Sequence, residues 1–330
     1  AKVAKKPGVV TAISDKGVVV EYSDGETVSV EIGRRYGKAA GLVIPHDVVT
    51  DLKVGQKIKE GTVIAYNKGF FKKDYLSGGV AMAFNLTAKT VLLESTKTLD
   101  DSSAITASLS EKLKTNITYI RTILINFKDS VEKLVKVGQE VSSDTILCYI
   151  QDEITARTNT FDEETIESLR LLSAHSPQAK YKGVVEKIEV FYHGEKEDMS
   201  ASLKSVVDAS DKELSATLRS LKQSPATGKA DGSFRIEGNP LSPDTAAIQI
   251  YITDKVSAGI GDKTVFGNQL KSVLCDILTQ PYVSESGVVI DAVFGNKSVF
   301  NRITNSPYLI GTTNTLLKII AKKAVSKYRN

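Results

Sequence analysis

The sequence predicts a mainly β (α+β) protein built on sandwich-type β-barrel hairpins. Three observations carry this. β-branched runs separated by short turns begin at the N-terminus, strand-length apolar segments recur along the chain, and one strand–turn–strand segment occurs twice. Helical periodicity is confined to a few stretches.

Val9–Ile13 and Gly17–Tyr22 are β-branched runs separated by Ser14-Asp15-Lys16. Ser23-Asp24-Gly25-Glu26 is a strong turn, and Thr27–Ile32 alternates apolar and polar residues as a half-buried strand does. Further strands are expected at 116–127, 183–192, 246–253 and 288–294. Helices are expected at 163–172, at 211–221 and at 315–327, where residues 316, 317, 320 and 324 are apolar and lysines take the other face. The segment 196–235 is polar and weakly patterned, and it ends in the turn formers Ser224–Ser233, so a boundary is placed near 235.

The repeat pairs Lys53-Val54-Gly55-Gln56 through Tyr66 with Lys136-Val137-Gly138-Gln139 through Tyr149, at an offset of 136 − 53 = 83. Two copies are too few for a solenoid. They fit related hairpins pairing across a pseudo-twofold. Biotinyl and lipoyl carrier domains use such barrels too, but the modifiable lysine they need at a hairpin tip is not evident here.

Composition narrows the function classes. At roughly 150 residues per domain, 330 residues allow two or three domains. With 25% charged and 41% hydrophobic residues the chain is globular rather than disordered. A net charge of 43 − 39 = +4 does not by itself indicate nucleic acid. No run of 18 apolar residues suggests a transmembrane helix, and the start lacks a secretory pattern. Residue 1 is not Met, so an initiator has been removed or an upstream piece is missing. Cys148 and Cys275 sit in apolar runs, which argues for a reducing compartment and against a disulfide scaffold. His46, His175 and His193 are dispersed without metal-ligand spacing and read as surface or turn residues.

The segment most suggestive of chemistry is Ala258-Gly259-Ile260-Gly261-Asp262-Lys263 through Lys271. Its glycines allow close backbone approach, and its lysines can neutralise phosphate. It is not a Walker A loop, and alone it reads as a solvated turn. The context adds weight. Gly261-Asp262-Lys263, seven residues and then Lys271 resembles a motif of the β subunit of multisubunit DNA-directed RNA polymerase. Gly287–Phe294 resembles that family's Gly-x-Pro-Val-Asp-Ile-Val strand, and Val299–Ile303 resembles Val-Pro-Ser-Arg-Met, which places Arg302 on the family's arginine. Lys6–Ile32, Val54–Tyr66, Leu99–Ser102, Ser108–Leu113 and Tyr181–Phe191 resemble further β segments in the same order. The likeness covers nearly the whole chain. It departs at Gly267-Asn268-Gln269-Leu270-Lys271-Ser272, where the family has Arg-His-Gly-Asn-Lys-Gly. The fork-loop motif is also missing, although Arg34, Arg35 and Lys38 lie nearby, and the N-terminal half and C-terminal clamp of β have no counterpart. Split, divergent chains of this kind are typical of giant bacteriophages.

The resemblance implies three regions: 1–160 with the barrel hairpins and the acidic pair, 161–235 as a flap or wall, and 236–330 as a double-psi β-barrel with a C-terminal helix. It implies a nucleotidyltransferase subunit that is inactive alone, because the Asp-x-Asp-x-Asp motif holding the main catalytic Mg²⁺ lies on a β′-like partner. Lys263 and Lys271 would contact the transcript 3′ end and incoming phosphates, Arg302 the triphosphate, and Asn268 and Gln269 nucleic acid. Asp100 and Asp101 would help position the second Mg²⁺, partly through water; without the resemblance they read as a turn or helix cap. Expected partners are the β′-like chain, an N-terminal β-like chain, a sigma-like factor near the flap, template DNA, RNA and NTPs, with no membrane. The location would be the cytoplasm of an infected bacterium or the virion. The competing readings are a non-catalytic nucleic-acid-binding or virion structural protein on the same barrels, and a carrier-type barrel protein. The C-terminal set Lys318, Lys322, Lys323, Lys327 and Arg329 reads as a solvated helix face or a subunit contact.

Overall fold

The computed structural model describes residues 1–39, 41–83, 86–151, 176–267, 269–302 and 305–329. The chain is mainly β with several antiparallel sheets, and it divides into two compact units. The first comprises Ala1–Phe84 and Asn116–Lys255; the second comprises Asn85–Thr115 and Val256–Asn330.

In the first unit the N-terminal strands form as their alternation predicts. Gly8–Ile13, Gly17–Tyr22 and Thr27–Glu31 are sequential antiparallel neighbours, and Lys57–Ile58 pairs on the outer side of Gly8–Ile13. Val10, Val18, Val20, Tyr22, Ile58 and Ile64 bury their side chains in one cluster. A larger sheet runs in the order Lys2–Val3, Val63–Asn67, Leu42–Val49, Thr115–Asn126, Thr245–Val256, Gly183–His193, Glu140–Val141, with Gly33–Ala39 also paired to Leu42–Val49. Ile248, Ile250 and Ile252 are fully buried at alternate positions of one strand, as one inward face of a pleated sheet requires.

The two repeat copies adopt the same hydrogen-bonded form. Gln56 N–H donates to Lys53 O at 3.1 Å and Lys53 N–H to Gln56 Oε1 at 3.0 Å; in the second copy Gln139 N–H donates to Lys136 O and Lys136 N–H to Gln139 Oε1, each at 3.1 Å. Thr62 and Thr145 then accept from Lys59 N–H and Ser142 N–H at 3.0 and 2.9 Å. Among the described residues the copies do not pair with each other, which corrects the expected mutual pairing. Each binds its own partner strand instead. Val10 N–H donates to Gln56 O at 3.0 Å, and Val185 N–H to Gln139 O at 2.9 Å. Ala4 N–H donates to Thr62 O and Ala179 N–H to Thr145 O, at 2.8 and 2.9 Å. The partner strands match as well: Ala4-Lys5-x-x-Gly8-Val9-Val10 against Ala179-Lys180-x-x-Gly183-Val184-Val185. Both glycines are needed for close approach, since a Cβ on Gly8 would lie 2.4 Å from Glu21 O and one on Gly183 2.5 Å from Thr253 O.

The helix expected at 211–221 is longer, Ala201–Ser220. Ser200 caps it, its Oγ accepting from Leu203 N–H at 3.3 Å. Leu203 and Val207, one turn apart, are fully buried in the large core. Asp211 on the same helix is buried and saturated: it accepts from Gly228 N–H at 2.6 Å and Tyr192 O–H at 3.2 Å, and pairs with Lys196 at 2.7 Å. Burial pushes the Lys196 ammonium toward a lower pKa, but its bonds to Asp208 and Asp211 outweigh this and raise it. His46 and His193 lie half-buried in strands rather than in turns, bonded to Asn67 and to Leu241 O. His175 and the helix expected at 163–172 lie outside the described residues.

The second unit is a mixed five-stranded sheet in the order Thr90–Leu92, Ala292–Phe294, Ser102–Thr106, Lys271–Leu278, Lys263–Val265. Two of its pairings are parallel, 90–92 with 292–294 and 102–106 with 271–278, and each joins segments far apart in sequence. The expected strand 288–294 is split into Val289–Ile290 and Ala292–Phe294. Asp291 between them bonds instead to residue 89, its Oδ2 accepting Lys89 N–H at 2.8 Å. Ile105, Leu109, Leu274 and Ala292 form the core, and Phe266 stacks on Phe294 with centroids 5.0 Å apart. A long helix, Ser306–Arg329, ends the described chain and starts nine residues before its expected position. Among the described residues, no helix is long and apolar enough to cross a membrane.

Candidate functional site

The segment with the two candidate lysines is a hairpin. Lys263–Val265 pairs antiparallel with the start of Lys271–Leu278, in the register Lys263–Val273, Thr264–Ser272 and Val265–Lys271. The tip closes through Phe266 N–H to Leu270 O at 2.9 Å. Gly267 and Gln269 at the tip both have positive φ, 67° and 64°. Glycine takes this conformation without steric cost, whereas Gln269 is strained by it.

Pleating decides where the lysines point. Ser272 and Leu274 face inward, while Lys271, Val273 and Cys275 are exposed, as are Lys263 and Val265. Lys263 and Lys271 are therefore diagonal neighbours on one exposed face, about 7–8 Å apart across the strands. Among the described residues neither has an ion-pair partner. Arg34 and Arg35 differ: Arg34 is held by Asp47 and Glu186, each at 2.8 Å, and Arg35 by Glu31. Two adjacent cations without counter-ions present a site for an anion with two or more negative oxygens.

The acidic pair adjoins the same strand. Val273, opposite Lys263 on one side, donates its N–H to Asp101 O at 3.2 Å on the other. The outer strands are separated by one strand, so the lysine face and the acidic turn lie on the order of 10 Å apart. Asp100 and Asp101 form a turn rather than a helix cap, both with positive φ, 48° and 64°. Asp tolerates that region better than most residues, yet two in succession cost of order 1 kcal/mol each.

Arg302 joins this turn from 201 residues away. Its Nη2 donates to Asp101 Oδ2 at 2.6 Å and its Nη1 to Gln269 O at 2.7 Å, so one guanidinium ties the acidic turn to the hairpin tip. Ser298 Oγ accepts from Asp101 N–H at 3.3 Å. Thr98, Asp100, Asp101, Lys297, Ser298 and Arg302 line a cleft of about 440 Å³. Glu94 also borders it and accepts a hydrogen bond from Lys297 N–H. Sequence reasoning missed Glu94, Lys297 and Ser298, and no local pattern marks them: their role arises only when the 90s and the 290s meet across the sheet.

Five of the singled-out residues thus fall in one unit around one strand: Lys263 and Lys271 together, and Asp100, Asp101 and Arg302 beside them. Gln269 contributes its carbonyl, and Asn268 lies outside the described residues. Among the described residues no three His, Cys, Asp or Glu side chains gather, and one Asp101 oxygen is already taken by Arg302. One or two carboxylates do fit a Mg²⁺ that arrives with phosphates and keeps its waters. No protein-family model matches the chain, and no curated protein matches it.

Proposed function

We propose that this chain is the β-side active-centre subunit of a multisubunit DNA-dependent RNA polymerase, inactive until joined by a chain carrying Asp-x-Asp-x-Asp. The observation that carries the reading is the pair Lys263 and Lys271, exposed on one hairpin face without an ion-pair partner among the described residues, beside the turn held by Arg302. The ordered resemblance supplies the chemistry, and the crossed parallel strands of the second unit are compatible with a double-psi barrel.

In this reading the two lysines contact the transcript 3′ end and the phosphates of the incoming nucleotide, neutralising charge as phosphoryl transfer proceeds. Arg302 engages the triphosphate through its planar fork, which fits phosphate oxygens in pairs. Asp100 and Asp101 would hold the nucleotide-borne Mg²⁺, which supplies charge neutralisation on the phosphates. The test is RNA extension by the assembled enzyme. Lys263→Ala or Lys271→Ala should lower extension at sub-saturating NTP by tens of fold or more, since one such contact is worth about 2–4 kcal/mol. Unchanged extension in both variants would refute the assignment.

A further inference from the structure

The helix Ser306–Arg329 has no buried residue. Its 24 residues extend about 36 Å at 1.5 Å per residue. Leu309 is 66% exposed, Leu317 57%, Ile320 60% and Tyr328 92%. Ile319 and Val325 are exposed on other sides of the helix, but a group of apolar residues shares one face. Leu309, Leu316, Leu317, Ile320 and Ala324 follow three-, four- and seven-residue spacing and make one apolar stripe. The helix also carries Lys318, Lys322, Lys323, Lys327 and Arg329 and no Asp or Glu; the last acidic residue before it is Asp291. Lys323 borders the stripe, Lys327 lies on its line just past its C-terminal end, and the other three cations lie behind it.

An exposed apolar stripe of this length marks an interaction surface. Its charge restricts the occupant. A second copy would set five cations against five with no acid between them. A membrane-lying helix gains from bulky and indole side chains at its apolar face, but here the stripe ends in Ala324 and the chain contains no Trp. We infer that this helix docks into an apolar groove of a partner protein whose rim carries Asp and Glu. The inference does not depend on the polymerase reading, because any protein with such a groove satisfies it.

The test uses the full-length tagged chain isolated with its partners from the native source and treated with a carbodiimide, which joins a lysine only to a carboxylate in contact. Lys323 or Lys327 should be coupled to Asp or Glu of a different polypeptide. Ile320→Asp should lower recovery of that polypeptide about tenfold or more, as loss of a central apolar anchor does. The melting temperature of the purified chain should not change, because Ile320 is exposed. Couplings confined to this chain, isolation of the chain alone, or recovery unaffected by Ile320→Asp would overturn the inference. Helix-dependent flotation with anionic phospholipid vesicles, or helix-dependent retardation of duplex DNA, in place of the cross-link would overturn it in favour of lipid or nucleic acid.

Discussion

Replacing Arg302 by alanine separates a structural role from a phosphate-binding one. In the fold the guanidinium makes an ion pair to Asp101 at 2.6 Å and a hydrogen bond to Gln269 O at 2.7 Å. The two side chains are 30% and 45% exposed, so solvent screens the pair and it contributes about 0.2–1 kcal/mol. The bond to the carbonyl adds about 0.5–1.5 kcal/mol. Both groups left behind remain within reach of water, so no burial penalty follows. Arg302→Ala should therefore cost roughly 1–2 kcal/mol in urea unfolding of the purified chain. If the same side chain grips a triphosphate, the assembled enzyme loses about 2–4 kcal/mol of transition-state binding, and kcat/KM for NTP falls about 30-fold or more. Arg302→Lys keeps the charge without the fork and should fall between, with stability near that of the parent. Normal kcat/KM alongside lowered stability would confine Arg302 to holding the turn. A stability loss above about 4 kcal/mol would refute the screened estimate itself.

Other outcomes follow from the first unit and from the cysteines. Asp211→Ala orphans Tyr192 O–H and Gly228 N–H and leaves Lys196 paired with Asp208 alone, and should cost about 2–4 kcal/mol in urea unfolding; a loss below about 1 kcal/mol would contradict the saturated network. The folded pKa of Lys196 lies above its ordinary 10.5, so this contribution is complete below that value and is lost only as pH rises through the folded pKa. A pH titration of stability should therefore show no loss from this pair between pH 6 and 9 or so. Burial pushes the Cys148 thiol up to about 12, leaving roughly one thiolate in ten thousand at pH 8. The native chain should thus react with one equivalent of thiol reagent, at exposed Cys275, and with a second only on unfolding; two rapid equivalents would contradict the burial.

What the sequence revealed depends on how local each signal is. The N-terminal hairpins were legible because Val18, Val20 and Tyr22 alternate against short turns, and the three strands pair with their chain neighbours. The first ten residues of the helix 201–220 were hidden by its many Ser, Asp and Lys residues, although Leu203, Val206 and Val207 have helical spacing behind the Ser200 cap. The repeat at 53–66 and 136–149 was visible, but its partner strands were not. They match at an offset of 179 − 4 = 175 rather than 83, because the Gly-Val-Val strand precedes the first copy and follows the second. At the site, Lys263 and Lys271 share a face because of one hairpin register. The meeting of Asp101 with Arg302 depends on an antiparallel pairing between distant segments, 102–106 with 292–294, which no local periodicity encodes. That juxtaposition was suggested by the family resemblance alone.

The central claim is most directly tested by isolating the assembly around the full-length tagged chain from its native source at moderate salt, identifying its components by mass spectrometry and assaying RNA extension. The account predicts stoichiometric recovery of a chain with Asp-x-Asp-x-Asp and of a second β-like chain, with Mg²⁺-dependent extension. Recovery of the chain alone, or with capsid proteins and no extension, would contradict it.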